Sequence, residues 1–250
     1  TLNRIAVGDH ILLGGDNMDL ALAYRVKAKL AAEGKDLQPW QIQAIVQACR
    51  DAKEQLLLEN DINEVAIAIP SRGSKLLGGT LRTSLTREEV NETLVEGFFP
   101  HVKIGEHPIA ARRSALSQKG LPYAQDPAVS RHLAAFLSKQ VDAANDVLGS
   151  TTLNNATTQD EAGSFIKPSA ILFNGGVLKS PVLAERMLSI INQWLEDTNT
   201  NKARLLSDSD LDLGVAVGAS YFGHVKQGRG VRIRGGLAST YYVGIESAMP

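Results

Sequence analysis

The sequence predicts an α/β protein that carries a smaller inserted α+β subdomain. Two observations carry this expectation. Residues 169–225 read strand, glycine turn, helix, strand, helix, which is an α/β unit. Residues 17–84 pass from helical periodicity to the strict alternation of paired strands, the pattern of two helices followed by a hairpin. The expected boundaries place 1–16 and 85–228 in one lobe, 17–84 in the inserted helix-helix-hairpin unit, and 229–250 at the start of a following segment.

In chain order, Asp16 or Asn17 is placed to cap a helix whose apolar positions Met18, Leu22, Val26 and Leu30 recur at helical spacing, and Gly34 ends it. Pro39 opens a second helix with Ile42, Ile45, Val46, Cys49 and Leu56 along one side and Arg50 and Lys53 beside that stripe. EVAIAI (64–69) and TLRTSL (80–85) alternate as half-buried strands around the turn-rich SRGSKLLGG. Thr86 with Glu89 three residues on is a capping box, starting a helix that runs to about Phe99.

Prolines at 100, 108, 122 and 127 break the middle of the chain, where one helix presents Val129, Leu133, Phe136, Leu137 and Val141. The polar run 149–164 has the composition of a mobile loop. SAILF (169–173) and ARLLS (203–207) are short strands, and Ser180-Pro181 starts a helix with Leu183, Met187, Ile190, Ile191 and Trp194 inward. LGVAVGASYFGHV (213–225) forms the last helix, where Gly214 and Gly218, four apart, permit close backbone packing; RGVRIRGGLASTYYVGIE (229–246) alternates like a strand.

Composition narrows the function. With 250 residues, 44% hydrophobic, 21% charged and a net charge of -1, the chain is an ordinary globular protein with a core of useful size, and nothing argues for nucleic acid. Cys49 is the single cysteine, which excludes a disulfide-stapled scaffold and a thiolate metal cage and fits a reducing cytoplasm. No apolar run is long enough to span a bilayer, and residues 1–20 lack the layout of a signal peptide, so no membrane association is expected. The chain begins at Thr1 and ends at Pro250 directly after a strand-like stretch, and both ends read as cuts in a longer protein. The five histidines, at 10, 101, 107, 132 and 224, form no HxxxH pair; no metal ligand and no catalytic residue is assigned.

The chemical lead is the turn at Gly175 and Gly176, where two missing Cβ atoms let the backbone approach a ligand. It lacks the third glycine of a dinucleotide fingerprint, and Leu178 stands where a P-loop needs glycine. By itself the pair serves equally as a structural turn or as a ligand turn. Gly14 and Gly15 precede another helix start, where free N–H groups suit phosphate oxygens, although a plain helix entry explains them too. Three further alternatives stand. Lys53 reads as a solvated flank of its helix, Asp212 as the cap of the helix after it, and Arg50 with Glu54 as a surface i,i+4 pair.

Five segments in order resemble the seventy-kilodalton heat-shock chaperones of DnaK type, within the sugar-kinase, heat-shock and actin superfamily. GDHILLGGDNMDLAL resembles the family's segment after its second phosphate loop, closing at Asp19; QACRDAKEQL resembles the helix over the adenine; LTREEVNETL resembles the return helix from the small subdomain. LFNGGVLKSPVL resembles the adenosine turn, and DSDLDLGVAVGAS the segment after it. The likeness spans 6–103 and 168–225; the stretch 105–165 has no counterpart in the ordinary chaperone and looks like the insertion of a divergent bacterial branch.

The resemblance implies an actin-like ATPase (ribonuclease H-like) lobe that contacts an adenine nucleotide through Gly14, Gly15, Arg50, Lys53, Gly175, Gly176, Lys179 and Asp212. It departs from the family at Val177 (a serine there), Lys179 (an arginine that packs on the adenine) and Arg50 (a glutamate). An ammonium neither stacks nor forks like a guanidinium. The resemblance further implies ATP or ADP with Mg²⁺ in an intact parent, and a client protein or co-chaperone there. Neither phosphate loop lies in 1–250, so the expected chain binds adenine nucleotide and does not hydrolyse it alone. A lobe of a sugar-kinase-like phosphotransferase and a catalytically silent interaction module are the alternatives.

Overall fold

The computed structural model describes residues 4–8, 10–71, 80–109, 125–141, 164–206 and 210–231. The 149–164 loop, apart from Ser164, the turn at 72–79, much of the 105–165 stretch and most of the 229–246 strand lie outside these residues.

Helix α1 (Gly15–Ala32) starts one residue earlier than its expected cap. Gly14 is the N-cap, and Asn17, three residues on, accepts the Gly14 N–H through Oδ1 at 3.0 Å. The helix ends where Gly34 takes φ +76°. Helix α2 (Pro39–Leu58) has proline in its first turn. Its buried side comprises Ile45, Cys49, Ala52 and Leu56 with Gln41 and Lys53, while Ile42 and Val46 are only partly buried. Gln41 escaped the sequence reading. Its Oε1 accepts the Gln38 N–H and its Nε2 donates to Pro70 O, each at 2.8 Å, tying α2 to the strand beneath it.

Strands β1 (Glu64–Pro70) and β2 (Thr80–Thr86) form the expected antiparallel pair, in register from Glu64↔Thr86 to Pro70↔Thr80. The Thr86–Glu89 capping box opens helix α3 (Arg87–Val90), which continues through a π turn (Asn91–Val95) into a last α turn (Glu96–Phe98). Arg87 turns back and donates to the carbonyls of Leu56, Glu59 and Ile62, which closes the end of α2. Helix α4 (Val129–Lys139) buries Ser130, Ala134, Ala135 and Leu137, while the expected Val129, Leu133 and Phe136 are partly buried and pack against the core. Ser130, which the sequence reading did not place on this face, is accommodated there because its hydroxyl donates to Pro100 O at 2.8 Å.

β3 (Ala170–Ile171) and β4 (Arg204–Leu205) pair in parallel and are shorter than the two five-residue runs expected. Among the described residues neither has a second neighbour strand, and Leu172, Leu205 and Leu206 are exposed. Between them runs α5 (Pro181–Asp197), whose N-cap Ser180 accepts the Leu183 N–H and whose five expected apolar residues are all buried. The two sheets are separate, so the hairpin does not extend the β3–β4 sheet. One hydrophobic core runs through α1, α2, β1, β2, α3 and α5. Fully burying residues such as Leu22, Leu30, Ile45 and Leu56 favours folding by about 1.5–3 kcal/mol each, so the α1–α2 seam is firmly held.

Helix α6 (Gly214–Lys226) is different, because it has no buried residue. Gly218 therefore makes no close helix contact among the described residues, contrary to expectation. Gly214 does. A Cβ there would come within 3.0 Å of Asn174 Oδ1, so its absence lets the start of α6 meet the 174–179 turn.

Candidate functional site

A cavity of about 430 Å³ lies between the N-terminus of α1, the C-terminal half of α2 and the 3₁₀ turn Gly176–Lys179. Its first wall is the α1–α2 seam. Asp19 and Lys53 both occupy core-facing positions, 2% and 8% exposed, and Lys53 Nζ stands 2.6 Å from Asp19 Oδ1. Lys53 is thus the inward partner of a buried carboxylate and not a solvated flank. Two charges removed from water need each other, because leaving either one alone there is strongly unfavourable. A Cβ at Gly15 would lie 3.6 Å from Lys53 Nζ, an ordinary van der Waals contact, so the pair does not require glycine there. Burial pushes the Asp19 carboxyl up against the opposing pull of Lys53 and Arg50. Beneath it, burial and then the Asp19 charge push the Cys49 thiol up to about 12.

The second wall is the turn after β3. Gly175 has φ +93°, a left-handed conformation that side chains disfavour, and its N–H is held by Asn174 Oδ1 at 3.0 Å. At Gly176 a Cβ would meet nothing within 4 Å. The protein's own packing therefore does not require glycine there, although Gly176 lines the cavity. Neither acid is the N-cap of α6, which is Leu213 and makes no side-chain cap hydrogen bond; Asp210 instead closes the turn before it. Asp210 Oδ1 accepts the N–H groups of Asp212 and Leu213 at 2.8 and 3.0 Å, and the Leu213 and Asp212 hydrogen bonds hold its carboxyl below the ordinary range. Asp212 is thereby released to pair with Lys179 across the cavity rim.

Of the eight residues expected to contact nucleotide, Gly15, Arg50, Lys53, Gly176, Lys179 and Asp212 line this one cavity. Gly14 and Gly175 adjoin it, Gly14 lining a neighbouring depression beside α1. Arg50 pairs with Glu54 on the exposed side of α2 at 3.6 Å, as the surface-pair alternative has it, while still facing the cavity. Met18, Leu57, Val177 and Leu183 supply an apolar lining, so the cavity offers apolar surface with charged groups around it. Such a surface suits a flat heterocycle carrying a polar substituent.

The sequence reading missed Asp19 as a site residue, together with Asp16 and Glu54, which also line the cavity. A signal for Asp19 was present. A carboxylate on the stripe of Met18, Leu22 and Val26 demands a cation, and Lys53 sits on the corresponding stripe of α2. Among the described residues no group of three or more His, Cys, Asp or Glu is placed to hold a metal ion. No described helix is long and apolar enough to cross a membrane. No protein-family model matches the chain, and no curated protein matches it.

Proposed function

We propose that this chain binds an adenine nucleotide by its adenosine end in the cavity between α1, α2 and the 175–179 turn. In this reading it is a lobe of an actin-like ATPase of DnaK type, set in the cytoplasm, and it does not hydrolyse ATP alone. One observation carries the proposal: six residues picked from segments almost 200 positions apart, in the order of the family's nucleotide contacts, line a single cavity. Gly176 is compatible with it, since it lines the cavity and its Cβ position is open.

Each wall then has a task. Gly175 and Gly176 bring backbone under the sugar, Lys179 and Arg50 lie at the faces where a base edge would sit, and the Asp19–Lys53 pair fixes the spacing of α1 and α2. Hydrolysis requires charge stabilisation around the transferred phosphoryl group from both sides. The resemblance places neither phosphate loop in residues 1–250.

Calorimetric titration of the chain with ATP tests the reading. Wild type is expected to bind and Gly176→Arg to show no binding heat, because the long side chain fills the cavity. Superimposable isotherms from the two proteins would remove the adenosine assignment. The interaction-module reading would then take its place, favoured by the exposed apolar residues of α6, among them Val215 at 77% and Phe222 at 52%.

A further inference from the structure

We propose that a second cavity, walled by residues near the start of the chain, the 107–109 segment and helix α4, binds a small carboxylate with a hydrocarbon body. It shares no lining residue with the cavity of the adenosine reading, so the two stand or fall separately.

The cavity measures about 660 Å³, the size of a small-ligand pocket, and Val7, Ile11, Val129, Leu133 and Phe136 give it an apolar body. Gly8 brings backbone against the Phe136 ring, since a Cβ there would come within 3.3 Å of Cδ2. The walls are fixed to one anchor. Asp126 Oδ2 accepts the Ile109 N–H at 3.1 Å, its Oδ1 accepts the Ala128 N–H at 2.9 Å, and its carbonyl accepts from His132 Nε2 at 2.9 Å. Ile109, 73% exposed, is thus an apolar side chain whose backbone is held in place in water, and a ligand with apolar surface relieves that exposure.

The polar lining chooses the other end of the ligand. No Asp or Glu lines the cavity, and Lys139 is its one lysine or arginine. Among the described residues no ion pair uses Lys139. Its ammonium is a donor only, and His132 already commits Nε2 to the Asp126 carbonyl. An amine would meet a like charge with no carboxylate to offset it, and a sugar would meet a mostly apolar wall. A carboxylate on an apolar tail satisfies both parts, with its tail against Leu133 and Phe136 and its head at Lys139.

Calorimetric titration of the full chain with octanoate, octanamide and octylamine, at low and at high salt, tests the proposal. Octanoate is expected to bind about three- to fivefold more tightly than octanamide, the gain from one exposed ion pair, and octylamine most weakly. High salt should narrow the gap. Lys139→Gln, at an exposed position that leaves the fold intact, should bring octanoate down to octanamide, while Lys139→Arg keeps the preference. Leu133→Trp, which fills the cavity, should abolish binding of both. Equal affinities of wild type for octanoate and octanamide, a preference that survives Lys139→Gln, or no binding of any of the three would overturn the proposal.

Discussion

The two walls of the cavity use the same chemistry at opposite extremes of burial. On one, Lys53 and Asp19 form an ion pair inside the α1–α2 seam; on the other, Lys179 and Asp212 form one at the rim, with side chains 39% and 69% exposed. The difference separates structure from recognition. A buried pair is retained because each partner is intolerable alone, whereas an exposed pair adds little to stability and remains free to exchange its partner for a ligand.

The sharpest way to break this contrast is Lys53→Met. It leaves Asp19 without its cation in the core and should lower stability by about 3–5 kcal/mol, read from the midpoint of urea denaturation. The Asp19→Asn/Lys53→Met double variant should recover most of the loss, since it leaves no uncompensated buried charge. If Lys53→Met unfolded at the wild-type urea concentration, the pair would be no more structural than the rim pair.

The same contrast explains what was legible in the sequence. α1, α2, the hairpin and α5 each meet the core with one face, so their periodicity reports burial directly, and Leu22, Ile45, Ile67 and Trp194 fell where expected. Periodicity fails where a polar group decides the packing. Ser130 took a buried place on α4 through its bond to Pro100 O, and Asp210, not Asp212, took the N–H groups of the turn before α6. α6 is a third kind of failure: its apolar sequence reads as buried, yet among the described residues nothing covers Val215, Val217 or Phe222. At the site, glycine pairs and lone charges were visible as residues, but their convergence depended on contacts between α1, α2 and a turn over 100 residues later.

A smaller effect comes from pH. Burial pushes the Glu89 carboxyl up, but the Thr86 N–H together with Lys29 and Arg25 outweighs it and holds Glu89 below its ordinary value. Asp126 behaves alike: against burial, the N–H groups of Ala128 and Ile109 and the Arg131 guanidinium hold it low. A depressed carboxyl contributes stability that is complete above its unfolded pKa and is lost as pH falls through the folded one. Asp19, raised, has the opposite sign, and its contribution is lost as pH rises. The melting temperature should therefore fall on the acid side of the carboxylate range, and Glu89→Gln should flatten that limb. Asp19→Asn should steepen it. An acid limb unchanged by Glu89→Gln would refute the assignment.

Cys49 reports on the integrity of the buried wall. With its thiol buried and pushed up to about 12, it carries almost no thiolate near neutral pH. A thiol reagent at pH 8 should label it only as fast as the protein unfolds, and Lys53→Met should accelerate labelling by the same free energy it removes from stability. Rapid labelling of the native wild type would mean that the seam is open.

The smallest expected effect is on the rim, where Lys179→Ala should change stability by no more than about 1 kcal/mol, because solvent screens a pair this exposed. Its consequence for ligand is more informative than its size. If Lys179 lies over a base, removing it weakens adenosine binding modestly, by roughly 0.5–1 kcal/mol for a partly exposed cation on a ring. Lys179→Arg should retain or improve binding, since a guanidinium stacks where an ammonium only attracts. Asp212→Asn, which frees Lys179 from its partner without removing it, should leave adenosine binding no weaker than Lys179→Ala does. A loss of stability comparable to that of Lys53→Met in any of these variants would show that the rim pair holds the fold, and the division of labour between the two walls would be wrong.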